Sequence, residues 1–402
     1  MKFLLLNQTF YPDVVSTAQH LTDLAVGLQQ RGHDVTVVAS RRAYDEPARK
    51  FARMETWRGI RIVRVGSTGL GKSAKWKRAL DFGSFTLNCA VRLMFLPRAD
   101  AVVALTSPPL ISFFGAILAN ARGAKFYYWV MDFNPDEAIA AGWLRPGSFA
   151  ARLLDWMSRY SLRHATKIIA LDRYMAERIE RKGIPKEKMA VMPPWSHDSE
   201  VKFDASGRQQ FRATHGFGDK FVVMYSGNHS PCHPLTTLLE AARKLRDDDS
   251  VLFAFIGGGS EFRRVKEFAE SESLKNIKTL PYQPLNELAG SLSAADLHVL
   301  VMGDPFVGLV HPCKIYNVLC VGAPVLYIGP EPAHIPDILK NLNGQVSYCR
   351  TAHGNAEGLV EAIGKLKTIG KRNVVRGGFS KDDLLPQLVK ELEGEQLVTR
   401  RE

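Results

Sequence analysis

The 402-residue chain has little cysteine, and the little it has is unpatterned. Cys89, Cys232, Cys313, Cys320 and Cys349 are odd in number and irregularly spaced. That excludes a disulfide framework and suits a reducing cytoplasm. No CxxC dyad accompanies His229, Cys232 and His233, so this cluster lacks zinc-site spacing and no metal is expected. Acid is scarce over residues 49–98, which hold 12 Lys and Arg against 2 Asp and Glu. Charge of either sign is missing from 101–121, a run long enough for a membrane span. Pro108–Pro109 sits in its middle, so it splits better into a strand, a Ser-Pro-Pro turn and a buried helix. Internal repeats and low-complexity segments are absent, and the first apolar run, "MKFLLLNQTFYPD", is too short for a signal peptide.

What remains is ordinary globular composition, with 46% hydrophobic and 23% charged residues. Strand-like runs such as "FLLLN", "DVTVVAS", "AVVAL", "KFYYWV" and "KIIAL" are apolar almost throughout, as strands buried on both faces are. Helical stretches such as "STAQHLTDLAVGLQQRGH" lie between them. A second series follows: "KFVVMYSG", "VLFAFIGGG", "IKTLPY", "LHVLVM" and "APVLYIG". The expectation is α/β with two doubly wound Rossmann-like domains facing a cleft. The N-terminal domain would cover 1–198, a linker 199–218, the C-terminal domain 219–375 and a helical tail 376–402.

The net charge of +12 is lopsided, with 29 Lys and Arg to 18 Asp and Glu in residues 1–200. Within 49–98, Trp76, Leu80, Phe82 and Phe85 interleave with Lys75, Lys77 and Arg78. A basic segment with aromatics suits an anionic membrane surface or lipid phosphate. Nucleic acid and a plain solvated face are the other readings of such a segment.

Two strand–glycine–helix units could cradle phosphate, "YSGNHSPCHPLTTLLEA" and "IGGGSEFRRVKEF". The first of them holds neither GxxxxGK[ST] nor GxGxxG. His229 beside such a loop suits a hydrogen-bond donor to phosphate or sugar. In "GLVHPCKIYNVLCVGAPVL", Pro312 fits the first turn of a helix. Lys314 would then oppose the helix dipole unless an anion binds there, and His311 lies just outside. Asp132, just after "KFYYWV", is a candidate base or hydroxyl acceptor. Tyr11, Pro12, Ser16 and Thr17 lie in the loop between the first strand and the first helix.

Taken in order, "FYPDVVSTAQHLTDLAVGLQQRGHDVTVVAS", "TSPPL", "DFNPDEAIAAGWL", "MPPWSHD", "YSGNHSP", "IGGGSE" and "HPCKIYNVLCVGAPVL" resemble the family 4 retaining glycosyltransferases of the GT-B fold. The bacterial colanic acid and O-antigen type is the nearest subgroup. The resemblance implies a nucleoside-diphosphate sugar bound by the C-terminal domain, with no cofactor. Gly227, Asn228 and His229 would lie by the diphosphate, with Lys314 in the place of the subgroup's lysine. Gly257, Gly258, Gly259 and Tyr282 would lie near the nucleoside, and His233, His311 and Asn317 would complete the donor site. Asp132, Lys314 and His229 would be catalytic, and Tyr11, Pro12, Ser16 and Thr17 would face the acceptor.

The chain departs from the family at two positions where many members carry glutamates, here Leu309 and Asn317. The function implied is sugar transfer to a polyprenyl-diphosphate-linked glycan acceptor in cell-surface polysaccharide synthesis. Attack would come from the same face, with the leaving phosphate helping to deprotonate the acceptor. The enzyme would be cytoplasmic and held peripherally at the inner membrane through 49–98, with no nucleic acid partner. A sugar-nucleotide 2-epimerase of the same fold and a non-catalytic scaffold are the alternatives.

Overall fold

The computed structural model describes residues 1–44, 46, 48–70, 75–196, 201–375 and 378–394. The chain divides into two compact units. The first holds Met1–Pro194, Gly308–His311 and the chain from Asp382; the second holds Trp195–Val307 and Pro312–Lys381.

The strands of the first unit are β1 (Lys2–Leu6), β2 (Asp34–Ser40), β3 (Met54–Trp57), β4 (Ile60–Val65), β5 (Ala101–Ala104), β6 (Lys125–Val130), β7 (Lys167–Ala170) and β8 (Met189–Val191). They form one sheet in the order β3-β4-β2-β1-β5-β6-β7-β8. All neighbours are parallel except β3 and β4. That pair turns through Arg58 and Gly59, both at positive φ, as a tight two-residue hairpin does. Helices α1 (Ser16–Gln30), α2 (Lys75–Met94), α3 (Ile111–Arg122), α4 (Asp136–Ala140), α5 (Phe149–His164) and α6 (Arg173–Arg181) make the crossovers. Buried Ala18, Leu21, Leu24, Ala25 and Leu28 give α1 its inner stripe at helical spacing. Ser148 caps α5 by accepting from Ala151 N–H at 3.2 Å. Asp172 caps α6 by accepting from Met175 N–H at 2.8 Å. The uncharged run 101–121 divides into β5, a turn and α3. Among the described residues, no helix is long and apolar enough to cross a membrane.

The second unit holds α7 (Ala205–His215), β9 (Phe221–Asn228), α8 (Thr236–Lys244), β10 (Val251–Gly258), α9 (Phe262–Ser271), β11 (Ile277–Leu280), α10 (Leu288–Ser293), β12 (Leu297–Val301), α11 (Lys314–Val321), β13 (Val325–Ile328), α12 (His334–Asn341), β14 (Tyr348–Thr351) and α13 (Ala356–Ile369). Its sheet runs β11-β10-β9-β12-β13-β14, all parallel, with the order reversing between β9 and β12. Val223, Tyr225, Phe253, Phe255, Val299 and Ile328 lie in its largest buried cluster.

The described part of the expected linker, 201–218, is not a linker. It carries α7, whose Phe211 packs with Phe217, Met224 and Leu252. Arg208 and Arg212 of α7 grip Asp296 at 2.6 and 3.0 Å. Its polar composition is the solvent face of a packed helix. The unit boundary falls at Pro194–Trp195, just before residues 197–200, which lie outside the described residues. The tail returns to the first unit as α14 (Lys381–Glu393), burying Leu384, Leu388, Val389 and Leu392. Glu393 receives Arg31 Nη2 and His33 Nε2, each at 2.7 Å.

Candidate functional site

In the second unit, β9 and β10 run on together until Gly227 stands opposite Gly257 and Asn228 opposite Gly258. Gly257 has φ 133°, and a Cβ there would sit 2.1 Å from the Gly227 carbonyl oxygen. Only glycine allows the two strand ends to close so tightly. Gly227 also has positive φ, and a Cβ there would meet Lys314 Cε at 2.7 Å. Lys314 opens α11 and reaches back to this edge. Its Nζ donates to the Tyr225 hydroxyl and to the Asn228 carbonyl at 3.3 Å. It lies 3.8 Å from the Tyr225 ring centroid, a cation–π contact. The Tyr225 hydroxyl in turn donates to the Asn228 carbonyl at 2.7 Å. Among the described residues no carboxylate pairs with Lys314. Burial without a counter-ion lowers its pKa to about 7. An arriving anion would remedy that deficit.

Tyr282 leaves more than half of its surface in solvent while its hydroxyl donates to the Gly258 carbonyl at 3.3 Å. Its ring lies over Gly258 so closely that a Cβ there would be 2.9 Å away. Gly259, again at positive φ, fits beneath the His229 carbonyl. Asn317 is half-buried one turn beyond Lys314 on α11.

The histidines do not do what their sequence position suggests. His229 is fully buried among Tyr225, Phe255 and Phe262. Its N–H donates to the Gly258 carbonyl at 2.7 Å, and its carbonyl accepts from Glu261 N–H at 3.1 Å. Its Nδ1 donates to the Gly227 carbonyl at 3.0 Å, which leaves Nε2 as a buried acceptor without a partner. Burial, then the nearby Lys314 charge, lowers its pKa to about 4. A neutral ring with its N–H spent has nothing to donate to a phosphate. His229 therefore staples the two glycine loops together. His233 is also buried, with Nδ1 donating to the Val301 carbonyl at 2.7 Å. Burial holds its pKa well below the usual range, so it is not a basic partner for phosphate. His311 belongs to the first unit, where its Nδ1 lies 2.8 Å from Asp172 Oδ2. Leu309 is buried there too, its carbonyl accepting from Phe133 N–H at 2.8 Å, and a glutamate in its place would be drawn into a core.

In the first unit, the strand order reverses between β1 and β5. Polar residues follow the strand ends on both sides. Ser107 N–H donates to Asn7 Oδ1 at 3.3 Å, and Asn7 Nδ2 donates to Thr9 Oγ1 at 3.0 Å. Thr9 and Thr17 hydroxyls are 3.0 Å apart. Asp132 follows β6; its N–H donates to Thr106 Oγ1 at 3.2 Å. Burial of its carboxyl raises the pKa to about 6. Ser16 and Thr17 open α1, which no side chain caps. Tyr11 stacks on Trp57 with ring centroids 4.1 Å apart, and Pro12 follows it. Asn7, Thr9, Thr106 and Tyr225 escaped the sequence reading. The signal was a polar group placed directly after, or at the end of, an apolar strand.

The basic segment 49–98 is not one uniform patch. Arg64 is buried, bound to Glu55 at 2.9 Å and to the Ser40 and Tyr11 carbonyls. The side chains of Lys75, Trp76 and Arg78 lie outside the described residues. Residues 66–73 read "GSTGLGKS", a formal GxxxxGK[ST] between β4 and α2. Its described part offers no phosphate cradle: Thr68 N–H goes to Ser84 Oγ at 3.0 Å and Leu70 N–H to the Asp81 carboxylate at 2.9 Å.

Residues 17–195 match the family described as Glycosyl transferase 4-like domain. Residues 207–373 match Glycosyl transferases group 1. The putative colanic acid biosynthesis glycosyl transferase WcaI of Escherichia coli K12 is 24% identical over 421 residues, covering 98% of this chain and 100% of that protein. The probable glycosyltransferase WbjE of Pseudomonas aeruginosa is 25% identical over 242 residues, 60% of each chain. Among solved structures, sucrose-phosphate synthase of Thermosynechococcus elongatus superposes with TM-score 0.72 at 14% identity, covering 98% of this chain and all of that one. HepE of Anabaena in complex with UDP-glucose gives 0.71 at 15%, with the same coverage.

Proposed function

The chain belongs to the family 4-like glycosyltransferases of the GT-B fold, and from that membership we propose which sugar-transfer role each unit carries. The second unit takes the nucleoside diphosphate of a sugar donor, and the first takes the acceptor hydroxyl beside Asp132. The observation that carries this is Lys314, a half-buried cation against two glycine loops with no carboxylate partner.

During transfer, negative charge grows on the leaving diphosphate, and Lys314 with the N-terminus of α11 would meet it. Tyr282 offers an exposed ring face to the base of the nucleoside. Transfer proceeds with retention, the leaving phosphate helping to take the acceptor proton while Asp132 orients the acceptor. The acceptor is a polyprenyl-diphosphate-linked glycan at the inner leaflet, and the pathway is cell-surface polysaccharide synthesis. The colanic acid relative supports the pathway, and the charge of segment 49–98 supports the membrane contact. The solved HepE complexes with UDP and UDP-glucose support a nucleoside-diphosphate donor.

A thermal-shift series with UDP, GDP, ADP and dTDP tests the donor site. A nucleotide at about 100 times its dissociation constant should stabilise the protein by about 2.7 kcal/mol, and Lys314→Ala should abolish that shift. No shift with any nucleotide would overturn the proposal. Release of an altered sugar from the donor alone, without acceptor, would point to epimerisation instead.

A further inference from the structure

Three neighbouring helices of the first unit leave an apolar face in solvent. On α2, Leu80, Leu87, Val91 and Met94 are exposed at helical spacing, and Phe95 follows at 73% exposure. From Leu80 to Met94 this stripe runs about 21 Å at 1.5 Å per residue. On α5, Phe149, Leu153 and Trp156 recur at i, i+4 and i+7. Phe149 is 82% exposed and Trp156 55%. Between them α3 packs against both helices and exposes Ile117. Phe113 of α3 meets Trp156 and Tyr160 of α5, with ring centroids 5.5 and 5.2 Å apart, so the two faces adjoin. Exposed apolar surface on this scale marks a contact site.

The charge around it selects the partner. The three helices carry eight Lys and Arg but only Asp81 and Asp155. Both acids are engaged. Asp81 takes Leu70 N–H, and Asp155 holds Lys182 and Arg159, each at 2.6 Å. Arg152 and Arg163 of α5 remain exposed beside the aromatic stripe. A second copy would set like charge against like charge. Anionic lipid headgroups complement the arginines, while the apolar stripe enters the acyl boundary and the tryptophan sits at the interface.

We propose that the exposed face of α2, α3 and α5, centred on Leu153 and Trp156, inserts into an anionic phospholipid surface. The proposal rests on the reading that this enzyme works at a membrane. It shifts the contact from the charge of 49–98 to an apolar belt that includes α5.

The experiment is flotation with vesicles of mixed phosphatidylcholine and phosphatidylglycerol, beside phosphatidylcholine alone. Wild-type protein should float with the mixed vesicles. Leu153→Glu combined with Trp156→Glu should cut the bound fraction about tenfold or more, since two side chains lose their burial. Its thermal melt, taken without vesicles, should stay as in the wild type. Brominated lipid should quench the wild-type fluorescence, and Trp156→Phe should remove part of the quenched signal. Full binding by the double variant, or quenching unchanged in Trp156→Phe, would overturn the proposal while leaving adsorption through 49–98 intact. No wild-type binding to any vesicle would overturn both. A concentration-dependent dimer abolished by the double variant would overturn it in favour of self-association.

Discussion

At the carboxyl edge of the second sheet, the ends of β9 and β10 carry Gly227, Gly257 and Gly258 around a lysine. At the corresponding edge of the first sheet, the strands are followed by Asn7, Thr106 and Asp132. Both places lie where strand order reverses, the position at which doubly wound sheets bind ligands. The chemistry differs. The second edge has backbone stripped of side chains, an exposed aromatic ring and one cation whose charge is unbalanced. The first has amides, hydroxyls and a carboxylate whose pKa is raised to about 6. A phosphate suits the second and a sugar hydroxyl the first. On the proposed function, the few residues that follow its strands would divide one architecture into complementary tasks.

The largest effect that would break this division comes from exchanging the two charges for neutral groups. Lys314→Ala should lower kcat/KM about 10²–10³-fold, the usual cost of losing one group that stabilises developing charge. Asp132→Asn should lower turnover about 10²-fold or more yet leave the nucleotide-induced thermal shift unchanged. A loss of nucleotide binding in Asp132→Asn would defeat the division. Next in size is Gly257→Ala. Its Cβ would strike the Gly227 carbonyl from a backbone at φ 133°. Strain and displacement together should cost about 3 kcal/mol in denaturant unfolding, with nucleotide binding lost in parallel. A variant as stable as wild type would show that the glycine pair is not needed to bring the strand ends together.

The pH profile sharpens the comparison on a smaller scale. Asp132 orients an acceptor hydroxyl best as the carboxylate, whose charge strengthens the hydrogen bond it accepts, so kcat/KM should rise as pH rises through about 6. Lys314 must be charged to meet a diphosphate, so kcat/KM should fall as pH rises through about 7. The free enzyme should thus show a narrow optimum between these values, with limbs of about tenfold per pH unit. Lys314→Arg should carry the alkaline limb away, because arginine stays protonated. An unchanged alkaline limb in that variant would assign it to another group.

Much of the fold was legible because these strands are buried on both faces and read as apolar runs. The strands missed were those where that rule fails. β3 ("METW") is half-exposed and antiparallel, and β14 ("YCRT") is a sheet edge carrying Arg350. The helix α7 reads as linker in the sequence because Phe211 is its one buried residue. At the candidate site, the glycines and Lys314 are marked in the sequence, the first as strand ends without Cβ and the second as a cation at a helix start. Side-chain direction leaves no such mark. His229, His233 and His311 all follow or precede glycine loops, yet each turns into a core and spends Nδ1 on a protein oxygen. Tyr225 looked like core and is core, except for a hydroxyl that seats the lysine.

His229 offers the smallest and most discriminating test. Replacing it by phenylalanine removes the bond from Nδ1 to the Gly227 carbonyl, a net loss of about 1 kcal/mol. It also removes a buried Nε2 that has no partner, relieving a penalty of about 1–3 kcal/mol. The ring would sit among Tyr225, Phe255 and Phe262, surroundings that favour an aromatic hydrocarbon. The two effects oppose each other, so unfolding stability should lie between unchanged and about 2 kcal/mol above wild type. Nucleotide affinity should hold within about threefold, because a neutral, buried ring with its N–H committed gives nothing to a phosphate. If affinity instead falls tenfold or more while stability holds, His229 must turn out of the core to meet the ligand. Lys314 would then share the diphosphate, and the second edge would carry two positive groups when occupied.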